Sequence, residues 1–383
     1  LQTFIITRAK ELGYETIVVD GNPRSIGFNY ADNYKSIDIV DKESCFAYAK
    51  KMKIDGVLTA ATDYGVLTSA YISQQLSLPG IDYKVAQLVK NKYDIRRSLF
   101  TNQIDDLSHY YLISDLKEIE LLRDSIHFPV MVKPCDGSGS KAIKKVNTIN
   151  RLIPACRTAM ISSKVGKALI EDFIIGKEYG VESFVYQGQV HVMAIMDKQM
   201  TSPPIYAELG HSLPSGLTIE EKVKDIVRQA IMTLGIDFGA VNMDILITSD
   251  NKIYIVDIGA RMGGNLIGSH IIPLYTGIDY MGNLIKSAVG DNVNMESSGT
   301  RAVATKILAL KPGKITGLPD FDRIMAECKV HIFHHLHVND TIREYKNNLD
   351  GCGYVVATSS DKDDCLGRVE LAKQLIDNEI VRA

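Results

Sequence analysis

Residues 238–265 read FGAVNMDILITSDNKIYIVDIGARMGGN, two alternating, β-branched runs on either side of a polar turn. MDILIT (243–248) and KIYIVDI (252–258) have the period of half-buried strands, and SDN (249–251) has the chemistry of a tight turn. A hairpin of this kind can bring Asp244 and Asp257 opposite each other near one end. Each is a carboxylate in an otherwise apolar strand, which costs free energy unless a positive partner sits on it. Two hard carboxylates together suit a divalent cation such as Mg²⁺. Arg261 and Gly263–Gly264 follow at once, placing a fixed cation and a pliant backbone beside the expected metal. Metal, guanidinium and glycine loop point together to phosphate chemistry. A hairpin whose two Asp are solvated at its rim is the alternative, and the hairpin alone leaves it open.

Upstream lies a second focus, FPVMVKPCDGSGSKAIKKV (128–146). PVMVKP is a short apolar strand with one Lys, Lys133, which needs an anionic partner. The Gly/Ser loop after it, Gly137–Ser138–Gly139–Ser140, has bare backbone amides able to wrap a phosphate. It lacks GxxxxGK[ST] and is no Walker A loop, and a plain hairpin turn is its alternative. ALIEDFIIGKEYGVESFVYQGQV (168–190) reads as two apolar strands joined near Gly176, with Glu178 opening the second and Glu182 interrupting it. Such a joint can offer backbone N–H and C=O groups to a planar base, or be only a hairpin.

The remainder of the chain frames these foci. Residues 1–80 alternate helix and strand, with strands at 16–20, 37–40 and 55–59, a βαβ rhythm that predicts a parallel sheet. Asp20, Asn22, Thr62 and Asp63 fall at strand ends, where ligands of such sheets bind and where loops are also capped. Lys90, Lys92, Arg96 and Arg97 mark a basic helix, for which a solvated face is the simple account. SDLKEIELLRDSI (114–126) reads as a helix, HVMAIMDKQM (191–200) as a further strand, and SPPIYAELGHSLPSGL (202–217) as a proline-rich loop carrying Glu208 and His211. Residues 218–236 form an amphipathic helix, and 267–290 are largely helical. VHIFHHLHVND (330–340) holds four His in strand alternation with no paired carboxylate, a half-buried strand more than a metal site.

A chain of 383 residues is long enough for two or three packed units. Its net charge of −3 gives no reason to expect a nucleic-acid partner or an anionic membrane surface. No apolar run approaches the roughly 18–20 residues of a membrane span. Six Cys without CxxC spacing read as reduced thiols of a cytoplasmic protein. The chain opens inside a helical pattern, LQTFIITRAKELGY, from which an upstream segment is expected.

These features in this order resemble the ATP-grasp superfamily, which includes carbamoyl phosphate synthetase halves, biotin carboxylase and the L-amino-acid ligases. The resemblance implies an α/β fold class, α+β in the ATP-grasp body. Residues 1–85 would be a parallel, Rossmann-like pre-ATP-grasp domain with its first strand missing. Residues 86–295 would be the two-lobed ATP-grasp body with a lid subdomain at about 105–170, and 296–383 its C-terminal part.

Roles follow from the resemblance position by position. Lys92, in NKYDIRRSL, would contact the ATP phosphates, and Lys133 would reach the α- and β-phosphates. Gly137, Ser138, Gly139 and Ser140 would close over them as a lid, with Lys141 near its tip. Glu171 and Phe173 would offer backbone groups to the adenine, and Glu178 would hold the ribose hydroxyls. Asp244 and Asp257 take the places of the Mg²⁺ carboxylates. Arg261 and Asn265 would lie where an acyl phosphate forms, and Glu208 and His211 would face the substrates. Lys133, His211 and Arg261 are the residues to which catalysis is assigned. Where the family commonly shows Glu-x-Asn this chain has Asp257–Ile258–Gly259, so one metal ligand is missing or replaced by Asn242, Asn265 or water. The shorter Asp also draws the ions toward the backbone.

The implied activity is an ADP-forming carboxylate–amine ligase working through an acyl phosphate on small molecules, amino acids above all, with ATP and Mg²⁺ (or Mn²⁺) as cofactors. Homodimers are common in the family; no exposed apolar stripe in the sequence argues for one. Two alternatives stand beside it. One is a carbamoyl-phosphate-synthetase-like or carboxylase-like enzyme using carboxyphosphate, against which the chain has a single ATP-grasp unit, no glutaminase Cys-His segment and no biotin-carrier MKM. The other is a nucleotide-binding protein without catalysis, for which Gly259 speaks.

Overall fold

In the computed structural model, which describes residues 2–137, 141–203 and 205–383, the 238–265 stretch forms a hairpin of strands Gly239–Ile247 and Ile253–Gly259. It is one end of an eight-stranded antiparallel sheet. The order continues through Lys177–Tyr186, Gln189–Met200, Glu208–Leu213, Ala302–Ile307, Gly353–Ser359 and His331–His334. Alternation sorts the faces. Val181, Val241, Met243, Ile245, Ile253 and Ile255 turn into a core closed by the helix Glu220–Thr233, through Val223, Val227, Ala230 and Ile231. Glu178, Asn242, Asp244 and Tyr254 turn the other way, into a cavity. The far half of the sheet is covered by the helices Phe321–Cys328 and Lys362–Glu379 in a separate core.

The hairpin is not regular. Its register steps from Asp244 opposite Asp257 to Ile245 opposite Ile255, so Val256 is an extra residue, a β-bulge. The strand Ile253–Gly259 is also the sheet's edge. Asp105 and Asp106 cover that edge by accepting the N–H groups of Ile255 (2.9 Å) and Ile253 (3.0 Å), which removes an open template for pairing.

A four-stranded sheet, ordered Tyr110–Ile113, Ala168–Asp172, Val130–Pro134 and Lys144–Val146, packs one face on the helix Ile149–Ser162. Val130, Val132, Ala168 and Ile170 take the helix side. Lys133 and Glu171 therefore point to the opposite side, toward the cavity.

Several expectations are corrected. Among the described residues, the N-terminal region has two short parallel strands, Ile17–Asp20 and Asn33–Ser36. The strands expected at 37–40 and 55–59 do not form, since the small sheet offers them no partner. Of the helix expected at 114–126 only Glu118–Leu121 forms. Glu208 and His211 lie on a sheet strand, not in a loop. Arg96, read as part of a solvated face, is 4 % exposed.

Candidate active site

A cavity of about 760 Å³ lies between the four-stranded sheet, the eight-stranded sheet and the turn at 61–64. Every described residue to which the resemblance gave a role lines it, Lys141 included. Ser138, Gly139 and Ser140 lie outside the described residues.

At one end the charges are interlocked. Lys133 Nζ is 2.6 Å from Glu171 and donates to the Val256 carbonyl at 3.3 Å, the group freed by the bulge. Glu171 is shared with Arg96, at 2.8 Å, and Arg96 also meets Asp105 at 2.6 Å and the carbonyl of Ile255. Burial alone would raise the Glu171 carboxyl, but Lys133 and Arg96 reverse this and hold it at about 2. The role given to Glu171 is thereby corrected. Its backbone sits in the ladder between Tyr110 and Met131, and its side chain is the counter-ion of two cations. The Phe173 amide likewise donates to the Pro129 carbonyl at 3.1 Å. Among the described residues, the backbone groups of the next two positions, Ile174 and Ile175, have no hydrogen-bond partner, so the open joint lies there.

Asp244 and Asp257 face each other across the hairpin as partners in register. Each already has a lysine. Lys92 is 2.5 Å from Asp257, and Lys198 is 2.9 Å from Asp244. Burial disfavours the Lys92 ammonium, yet Asp257, with Asp63 and Glu171 behind it, outweighs burial and raises its pKa. For Asp244 burial is again the largest influence and again loses, here to Lys198, which keeps the carboxyl below its usual range. No three His, Cys, Asp or Glu side chains among the described residues are arranged to hold a metal by themselves. The substitutes considered for the missing ligand are engaged. Asn242 donates to Glu182 at 3.0 Å, while Asn265 donates to Glu208 and accepts from Tyr354 at 3.0 Å.

Toward the other end stand Glu178, Glu208 and His211. Lys198 bridges Glu178 (2.7 Å) and approaches Glu208 (3.6 Å). Burial raises the Glu178 carboxyl more than Lys198 lowers it. His211 is 1 % exposed, and its Nδ1, 3.4 Å from Glu208, has no hydrogen-bond partner among the described residues. Burial lowers its pKa against the pull of Glu208, so the imidazole is neutral near pH 7. Glu208 itself is fixed through its backbone. Its carbonyl accepts from the Tyr345 hydroxyl, and its N–H donates to Asn348 at 3.3 Å.

Arg261 is not free-standing. Its fork closes on Asp63 from the N-terminal region, Nε to Oδ1 at 2.7 Å and Nη2 to Oδ2 at 3.3 Å, with Nη1 on the Met262 carbonyl at 2.9 Å. Behind this loop lies Glu182, fully buried. It accepts from the Gly263 amide (3.0 Å), the Asn242 amide (3.0 Å) and the Tyr280 hydroxyl (2.7 Å). Even with these donors, burial pushes its carboxyl up to about 7. Of the four strand-end residues, Thr62 and Asp63 line the cavity, whereas Asp20 only closes its own turn by accepting from Asn22 N–H and Ser25 Oγ, each at 2.8 Å.

The sequence reading assigned no role to Lys198 and no site role to Arg96. The signal for Lys198 was the one used for Lys133, a lone cation in an apolar strand.

Residues 126–269 match the ATP-grasp domain family. This chain carries an ATP-grasp domain. Among curated proteins, the uncharacterized protein y4rH of Sinorhizobium fredii is 23 % identical over 340 residues, covering 86 % of this chain and 69 % of that protein. The carbamoyl phosphate synthase large chain of Campylobacter jejuni is 25 % identical over 271 residues, covering 66 % of this chain and only 24 % of its own length. The crystal structure of an L-amino acid ligase from Bacillus licheniformis superposes with a TM-score of 0.84 at 21 % identity, covering 100 % of this chain and 96 % of that one. At this identity the likeness shows the fold alone. No described helix is long and apolar enough to cross a membrane, and all six cysteines are buried and unpaired with one another.

Proposed function

We propose that the ATP-grasp chain is an ATP-dependent, ADP-forming ligase that activates a small-molecule carboxylate as an acyl phosphate and joins it to an amine. One observation carries this: a single cavity has the cations Lys92, Lys133 and Lys141, two facing Asp, and the Glu208–His211–Arg261 group in its wall. The lysines suit the phosphates of a nucleotide, and the open backbone at 174–175 suits the edge of its base. Glu178 would hold the ribose, and Glu208 and His211, in a segment similar to a loop of the L-amino-acid ligases, would face the substrates.

The donor set fits a divalent cation held jointly with nucleotide. Two carboxylates facing across a hairpin are too few for a cage of their own, which matches Mg²⁺, usually bound by one or two carboxylates together with substrate phosphates. Asp244 and Asp257 would hold it, and its chemistry there is to neutralise charge on the phosphoryl oxygens. The chain's own groups do the rest. Lys133 and Lys92 would bind phosphate oxygens and orient the terminal phosphoryl group toward the incoming carboxylate. Arg261, held by Asp63, would stabilise the oxyanion formed when the amine attacks the acyl phosphate. His211, neutral beside Glu208, would take a proton from the substrate's ammonium group, leaving the free amine to attack. Closure over the cavity would keep water from the acyl phosphate.

The test is ADP release from Mg·ATP in the presence of pooled amino acids and other small carboxylic acids, with and without bicarbonate. Release that depends on one carboxylate–amine pair supports the ligase and names its substrates. Release that depends on bicarbonate points to carboxyphosphate chemistry instead. Tight ATP binding with no release under any pool refutes catalysis.

A further inference from the structure

Among the described residues, Lys198 is the one cation in the cavity wall that meets three carboxylates. It stands opposite His211 in the strand pairing, and its side chain is 4 % exposed. Its ammonium is 2.7 Å from Glu178, 2.9 Å from Asp244 and 3.6 Å from Glu208. One ammonium here stands among three acids, so negative side chains outnumber the cation that touches them. A second cation would offset the remainder.

The two Asp of the hairpin are therefore not equivalent. Asp257 is held by Lys92, whose alternative partner is the phosphate chain that arrives with the nucleotide. Asp244 is held by Lys198, whose alternative partners, Glu178 and Glu208, are already in place. Lys198 can leave Asp244 without becoming a buried, unpaired charge, which would be costly. Its four-carbon stem gives it the reach, and its three N–H donors need not all point at one acid.

We infer that Lys198 is a positioning residue that stands in for the metal, occupying Asp244 in the nucleotide-free chain and moving onto Glu178 and Glu208 when the divalent cation loads. The inference rests on the ligase proposal only for what loads the site. The consequence is ordered loading. A chain without nucleotide presents its Asp pair as two ion pairs and does not trap stray divalent cations. Because Lys198 also touches Glu208, loading at Asp244 strengthens its hold on the carboxylate that faces the substrate end.

The experiment is Mn²⁺ titration of the nucleotide-free protein, followed by the electron paramagnetic resonance signal of the free ion. Neither ATP nor substrate is present, so the result does not depend on whether the ligase reaction is found. Wild type should bind Mn²⁺ weakly. Lys198→Met should bind it at least about tenfold more tightly, since an ammonium beside the carboxylate has been removed. Lys198→Arg should behave as wild type, and adding Asp244→Asn to Lys198→Met should abolish the gain. A folded Lys198→Met protein with wild-type Mn²⁺ affinity overturns the inference. Asp244→Asn alone decides the matter even if Lys198→Met does not fold. It should leave nucleotide-free Mn²⁺ binding within about twofold of wild type, because Lys198 already occupies that carboxylate. A loss of about tenfold or more would mean that Asp244 binds metal with Lys198 in place, and would also overturn it.

Discussion

Replacing Glu171 by Gln keeps the side chain's volume and removes its charge. In the folded chain Glu171 Oε2 is 2.6 Å from Lys133 and Oε1 is 2.8 Å from Arg96, and all three side chains are buried. The two cations bring the carboxyl from 4.5 down to about 2, which corresponds to about 3 kcal/mol of folding free energy through linkage. Without that charge Arg96 retains Asp105 at 2.6 Å, but Lys133 has no other carboxylate among the described residues and keeps the neutral Val256 carbonyl at 3.3 Å. Stranding a buried ion in this way costs about 3–5 kcal/mol, so a loss of about 3 kcal/mol is expected near neutral pH. Urea denaturation followed by far-ultraviolet circular dichroism measures it. The sign with pH follows from a folded-state value below the unfolded one. The contribution is complete above pH of about 4.5 and is lost as pH falls toward 2, so the wild-type and Glu171→Gln curves should converge in acid. A variant within about 1 kcal/mol of wild type near neutral pH, or a gap that stays constant down to acid, refutes the account.

Lys133→Ala should weaken ATP binding by about tenfold to a hundredfold, the worth of a charge-assisted contact to phosphate, as read by calorimetry; unchanged affinity removes Lys133 from the phosphates. Glu182, pushed up to about 7, holds its proton more tightly folded than unfolded. Its contribution to stability therefore falls as pH rises from about 4.5 to 7, and the stability difference between wild type and Glu182→Gln should change across that window; a flat difference contradicts the shift. A Cβ on Gly263 would lie 2.6 Å from Ile267 Cδ1, 2.8 Å from Asn242 Nδ2 and 3.0 Å from Glu182 Oε2, whereas one on Gly264 meets nothing within 4 Å. Gly263→Ala should cost about 1–3 kcal/mol by denaturant melt, and Gly264→Ala under about 0.5; the reverse order would refute the packing of this loop.

The hairpin was legible because period-two alternation with one buried face leaves little freedom of register, and its turn residues are unambiguous. Lys133 was legible for a related reason, as a lone charge in an apolar strand. Lys198 gave the same signal but lay in a stretch with Asp197 beside it, which reads as an ordinary polar strand end. Glu208 and His211 were placed in a loop because Pro203, Pro204, Gly210 and Pro214 look like punctuation. In the structure Glu208–Leu213 is held in part by neighbours far away in the sequence, Thr305 and Asn348 among them, which no local pattern displays. Arg96 could not be told from Arg97 by composition. One is buried on Glu171 and the other lies on the surface, a difference set by which side of the helix meets the four-stranded sheet. The 55–59 segment has strand alternation yet no strand, since alternation states a preference and a partner must supply the hydrogen bonds.

Val256 makes residue count, more than side chain, the variable at its position. Because the register passes from Asp244–Asp257 to Ile245–Ile255 across it, removing its codon would leave those pairs intact. Ile255 would still face the core and Asp257 the cavity. What would vanish is one backbone carbonyl, the acceptor that Lys133 reaches at 3.3 Å, and the local bend that the extra residue imposes. A single-codon deletion here is therefore a gentler operation than most substitutions at Asp257, and it would separate the contribution of a main-chain oxygen from that of the side chains around it.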